Sequence, residues 1–118
     1  MEAAKDILER LGIDLVEEMT VNEGYTIEVE GYEDLTIEKI GSNRLSVAHY
    51  YVQRGDLMCD PEIVFRIEES GWIPVRYTQH PRIHKHNPEG IEVEAFIMQW
   101  SENLREQGFV DAAKEVHE

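Results

Sequence analysis

Residues Arg44 to Glu69, RLSVAHYYVQRGDLMCDPEIVFRIEE, constrain the fold of this chain more than any other stretch. Two apolar, β-branched arms, Leu45–Gln53 and Ile63–Ile67, flank a connection running from Arg54 to Pro61. Along the first arm Leu45, Val47, His49 and Tyr51 fall on one face, and Ser46, Ala48, Tyr50 and Val52 on the other. Neither set carries a charge, so this strand is expected in the middle of a sheet. Gly55-Asp56 offers a positive-φ position and a side chain able to bond its own backbone. Asp60-Pro61 is expected to start the returning strand.

The flanking segments extend the same pattern. Tyr25 to Glu30 and Leu35 to Ile40 each alternate apolar and polar residues, as half-buried strands do. Gly41-Ser42-Asn43 and Ser70-Gly71 are turn chemistry. Trp72 to Thr78 reads as a further strand, with Pro74 moving it towards an edge. Short turns between all of these leave no room for parallel crossovers, so the pairing must be antiparallel.

Outside the strands, Ala3, Ile7, Leu8 and Leu11 recur at helical spacing, predicting a helix over Glu2–Leu11 that stops at Gly12. Leu15, Val16 and Met19 predict a second short helical turn. Val93, Phe96, Ile97, Trp100 and Leu104 form one stripe of a helix over Ile91–Gln107, with Gly108 at its end. Phe109–Val116 predicts a short terminal helix, and Gln79–Gly90, with Pro81 and Pro88, a loop. The expected architecture is α+β: an antiparallel meander of about five strands, with N- and C-terminal helices on one face and the other face partly exposed.

A chain of 118 residues fits one domain able to bury a core. The longest apolar run falls far short of the roughly 20 residues of a membrane span. The N-terminal segment MEAAKDILERLG has no signal-peptide apolar region. A single cysteine, Cys59, excludes an internal disulfide and agrees with a reducing cytoplasm. The net charge of −14 is unevenly spread: residues 1–40 carry three basic and twelve acidic side chains, residues 41–90 six of each, and residues 91–118 two and seven. Such a balance argues against direct nucleic-acid binding, which needs phosphate neutralisation, and favours a protein partner with a basic surface. No membrane association and no cofactor are implied.

The segment AHYYVQRGDLMCDPEIVFR resembles a family of small domains found in proteins of plasmids, conjugative elements and phages, mostly in bacteria. The resemblance rests on Tyr50-Tyr51, Gln53, Gly55-Asp56-Leu57-Met58, Asp60-Pro61-Glu62 and Ile63-Val64-Phe65, with Gly71-Trp72 compatible downstream. It implies a bacterial, cytoplasmic, mobile-element setting, but no activity and no catalytic residue. The motif residues Gly55, Asp56, Leu57, Met58 and Asp60 read either as a structural connection or as an exposed contact.

Three groups are candidates for function. Glu17, Glu18, Glu28, Glu30, Glu33, Asp34 and Glu38 crowd one short acidic window, with Glu28 and Glu30 expected on one strand face. Carboxylates spaced on a sheet can imitate a nucleic-acid backbone and so occupy a basic surface on a host defence protein. The second group is the one locally basic window, Ser70 to Pro88, where Arg76, His80, Arg82, His84, Lys85 and His86 could hold an anion. Within it His80, His84 and His86 could alternatively ligate a metal, although no Cys-x-x-Cys pair accompanies them. Enzyme templates are weak. Carboxylate pairs such as Glu68/Glu69 and Glu92/Glu94 are expected by chance in so acidic a chain, and Cys59 with His49 makes only a nominal nucleophile–base pair.

Overall fold

The alternation of the central segments closes into a six-stranded antiparallel sheet in simple sequential order, seen in a computed structural model that describes residues 1–13, 16–69, 71–79 and 83–113. Helix α1 (Glu2–Arg10) precedes a 3₁₀ turn (Val16–Glu18), followed by β1 (Gly24–Ile27), β2 (Leu35–Gly41), β3 (Arg44–Gln53), β4 (Asp56–Glu68), β5 (Gly71–Gln79) and β6 (Ile83–His86). Helices α2 (Glu94–Gln107) and α3 (Phe109–Ala112) end the described chain. The α+β meander with N- and C-terminal helices is as expected, but with six strands rather than five.

The sixth strand lies inside the segment expected to be a loop. Ile83–His86 pairs with Arg76–Gln79, and Pro88 follows the strand rather than interrupting it. A short edge strand tolerates the charged and polar side chains of His84, Lys85 and His86, because its outer side needs no partner.

The second correction concerns the motif. The connection between the two central arms is not Arg54 to Pro61 but a two-residue turn, Arg54-Gly55. Both residues have positive φ, 54° and 84°, the backbone that joins twisted antiparallel strands tightly. Pairing then resumes at once, with Gln53 opposite Asp56 and Tyr51 opposite Met58. Of the motif residues, only Gly55 is in the turn; Asp56, Leu57, Met58 and Asp60 belong to β4. Asp60-Pro61, joined by a cis peptide, sits in a bulge. The register passes from Ala48–Glu62 to Tyr50–Cys59, leaving two β4 residues opposite His49. The bulge lets the ladder skip a proline that has no N–H to donate.

β3 is central, as expected, between β2 and β4. Leu35, Ile37, Leu45, Val47, Ile63 and Phe65 line the covered face and are essentially fully buried against Ile7, Leu8, Ile97, Trp100, Leu104 and Phe109 of the helices. Each such side chain contributes about 1.5–3 kcal/mol by leaving water. Ala3 and Ala4 permit α1 to approach α2 closely, and the Ala3 amide donates to Ser101 Oγ at 2.9 Å. That bond satisfies one of the open amides of the first helical turn. α2 starts at Glu94, three residues later than expected, because the Ile91 amide is engaged by the Pro74 carbonyl along the edge of β5. Gly108, at φ 94°, ends α2 in the left-handed conformation that glycine adopts without strain. The expected terminal helix begins at Phe109 as read but ends at Ala112, where Ala113 is already extended, instead of running to Val116; residues 114–116 lie outside the described residues, as does Leu15.

One charged side chain joins this interior. In β2 the core phase runs Leu35, Ile37, Lys39, and Lys39 is only 5% exposed. Its Nζ donates to the Met19 carbonyl at 2.9 Å and the Val16 carbonyl at 3.2 Å, tying the 3₁₀ turn to the sheet. Lys39→Met fills the space but leaves the Met19 carbonyl without its donor, while the Val16 carbonyl keeps the Met19 amide at 3.0 Å, so we expect a loss of about 1–3 kcal/mol in urea denaturation. An unchanged midpoint would show that the two bonds contribute nothing.

Candidate functional site: an acidic sheet edge and a polar open face

The acidic window maps to the β1 end of the sheet. Glu17 and Glu18 are exposed on the 3₁₀ turn. Strand β1 ends at Ile27, so Glu28 and Glu30 do not share a strand face as expected. They lie in the connection to β2, exposed, together with Glu33 and Asp34. The connection turns instead of extending, with the Tyr32 amide on the Val29 carbonyl and Gly31 at φ 91°. Glu38 is half-buried on β2, opposite Gly24 and Ser46, on the face away from the helices. Glu23 completes the group; the Tyr25 hydroxyl donates to it at 2.5 Å and holds its carboxyl below the usual range.

These eight carboxylates have little local counter-charge: Lys39 acts on Glu23 through space, and Lys5 borders the same hollow as Glu17. The only basic residue between Val16 and Ile40 is Lys39, which is committed to the interior. Among the described residues, none of the eight stands in an ion pair; the paired acids are Glu2, Asp6, Glu62, Glu68 and Asp111.

The open face carries a different arrangement, which sequence reading missed. Two rows of residues cross the sheet: Thr36, Ala48, Glu62, Thr78 and His84 in one, Glu38, Ser46, Val64, Arg76 and His86 in the other. Glu62 is the hub. One of its oxygens accepts from Ser46 Oγ at 2.7 Å and from the Tyr50 hydroxyl at 3.3 Å; the other accepts from Arg76 at 3.3 Å. This cover leaves Ser46 1% and Val64 2% exposed on a face that none of the described helices protects. Ser46, Glu62 and Arg76 share one strand phase, but they become neighbours only once the register is known.

The same geometry reorganises the basic window. His84 and His86 lie on the open face, opposite Thr78 and Arg76, with His84 Nδ1 2.9 Å from Thr78 Oγ1. Lys85 points the other way, beside Tyr77 and the start of α2. Arg76 is shared with Glu62, so it is not a free cation. His80 and Arg82 lie outside the described residues. Among the described residues no three His, Cys, Asp or Glu side chains converge as metal ligands.

His49 belongs to the core. Its ring packs edge-on against Trp100 and Phe109, at 5.7 and 5.3 Å between centroids. Nδ1 donates to the Glu33 carbonyl at 3.0 Å, which assigns the proton to that nitrogen. It therefore orders the acidic connection and is not poised as a base. Burial pushes its pKa below the ordinary 6.5, against smaller raising effects from the Glu33 and Asp34 carbonyls and the Asp60 charge. The folded state thus favours neutral His49, while the unfolded chain takes up the proton from about pH 6.5 downward. Stability is full above that pH and falls as pH drops through 6.5 towards the lower folded value. We expect the Tm to decline from about pH 7 to pH 5, and the decline to shrink in His49→Gln, which keeps a donor for Glu33. Equal slopes for both proteins would contradict this assignment.

No helix among the described residues is long and apolar enough to cross a membrane. No curated protein and no solved structure matches the chain. One family profile does match, over residues 2–110. That span takes in the whole sheet, α1, α2, the acidic connection and the Glu62 hub, and on that match the chain belongs to the DUF6908 family, described as a domain of unknown function.

Proposed function

We propose that this domain is a non-catalytic protein-interaction module whose acidic β1–β2 edge engages a partner with a basic surface. The observation that carries the reading is the withdrawal of Lys39. A solvated lysine at that position would neutralise part of the edge; turned inward, it leaves eight carboxylates to act on whatever approaches. Like charges held by the fold repel one another, and a cationic partner relieves that repulsion.

In its sharper form the proposal makes that partner surface one that otherwise holds nucleic-acid phosphates, so that the domain acts as a decoy against a host defence protein. The motif resemblance supplies the bacterial, cytoplasmic, mobile-element setting for this form. A second reading keeps the open face: His84 and His86 lie on one side of β6, where two imidazoles could begin a metal site for a metal- or phosphate-dependent enzyme.

The test is capture of partners from a nuclease-treated bacterial lysate, with bound metal measured on the same purified sample. The edge reading predicts a nucleic-acid-binding protein captured at low salt and released as the screening length falls from about 10 Å towards about 3 Å. The combined Glu28→Lys, Glu30→Lys and Glu33→Lys variant should lose it. Capture that survives both salt and charge reversal would overturn the edge reading. No partner together with near-stoichiometric zinc or nickel would replace it with the open-face reading.

A further inference from the structure

A second surface lies on the β5 side of the sheet, separated from the β1–β2 connection by β3 and β4. Between β5 and α2 runs a groove of about 620 Å³ whose floor is apolar, formed by Phe65, Trp72, Ile73, Ile91 and Ile97. Its wall on the α2 side continues onto an exposed line of the helix. Glu94, Met98 and Glu102 recur at every fourth residue and so stand one above another. Met98 is 66% exposed, an unusual position for a large apolar side chain beside an apolar cavity. Glu92 joins the two glutamates at the rim.

The charges define what fits. Among the described residues, Glu92, Glu94 and Glu102 stand in no ion pair and Arg105 is already paired with Asp6; Lys85 borders Glu92 and Glu94, and Lys5 covers the Trp72 ring at 5.4 Å, so acidic charge is most open along Glu94 and Glu102 of α2. An acidic small molecule or an acidic peptide is therefore repelled. A purely cationic one leaves the floor and Met98 exposed to water. The complement of Glu94–Met98–Glu102 is a helix with a basic residue, an apolar residue and a basic residue at the same four-residue spacing. The line spans about 12 Å along the axis, so a partner helix laid beside α2 matches it in register and reaches the groove with its next apolar side chain.

We propose that this groove is a docking site for an amphipathic basic helix of a partner protein, with Met98 and the groove floor taking its apolar side chains and Glu94 and Glu102 flanking them. The site is distinct from the β1–β2 edge, so either can fail without the other.

The probe is a fluorescently labelled helical peptide of about 18 residues made of Leu and Lys with one apolar face, beside a scrambled peptide of identical composition. Anisotropy at low salt should show binding of the amphipathic peptide and at least about tenfold weaker binding of the scrambled one. Met98→Lys and Glu102→Lys, both at exposed helix positions, should each weaken binding about tenfold, while Glu28→Lys with Glu30→Lys should leave it within about twofold. Backbone amide NMR of the unsubstituted protein gives an independent map, with shifts expected at residues 72–74 and 91–102. No binding, equal binding of the scrambled peptide, or shifts and losses confined to residues 23–38 would overturn the proposal.

Discussion

The inward turn of Lys39 is the interaction on which both the shape and the charge of this domain depend. An ammonium that is 5% exposed must have its hydrogen bonds met by protein, and here the carbonyls of Val16 and Met19 meet them. The consequence for the fold is a fixed 3₁₀ turn between α1 and β1. The consequence for the surface is an acidic edge whose one cation between Val16 and Ile40 is withdrawn from solvent. A buried charge that carries no obvious catalytic duty is costly to keep. Its retention makes sense where the turn and the uncompensated edge are both useful.

The two faces of the sheet reach burial by different means. The covered face uses apolar side chains against three helices. The open face uses length and hydrogen bonding: Tyr50, Glu62 and Arg76 lie over Ser46 and Val64, and each polar group in the cover finds a partner. A network of this kind removes Arg76 from the pool of free cations in the basic window that the sequence suggests, while His84, Lys85 and His86 stay exposed. Charge along this chain is therefore a poor guide to charge at the surface. Several basic residues are engaged by the protein itself, Lys39 by buried carbonyls and Arg76 and Arg105 by Glu62 and Asp6 at the surface, while most carboxylates around β1 stay in solvent. The same exposed carboxylates also discourage sheet-to-sheet pairing at the β1 edge, a role compatible with partner binding.

Elements with a strong period were legible from the residues alone. The helical stripe Ala3, Ile7, Leu8 and the stripe Ile97, Trp100, Leu104 are both buried, and β3 is central because its two faces lack charge. What the period does not carry is register. The Asp60-Pro61 pair looked like a strand start, yet the ladder runs past it through a bulge that only the pairing with β3 reveals. The histidine segment looked like a loop because its prolines outweighed four residues of weak strand preference, which pairing with β5 overrides. The Glu62 hub was invisible for the same reason, since its members come from three strands. Lys39 did leave a signal: it occupies the third place of the apolar phase Leu35, Ile37, Lys39, where a surface lysine does not belong.

The central claim is that the Lys39 amine is inside the protein, and amine labelling reads this directly. Brief treatment of the native protein with an acylating reagent, followed by peptide mass mapping, ranks the lysines by access. Lys85, exposed on β6, should be modified readily, and Lys39 should remain unmodified until the protein is unfolded. Labelling of Lys39 at the rate of Lys85 would place the ammonium in solvent among the carboxylates, and both the tie to the 3₁₀ turn and the uncompensated edge would be lost.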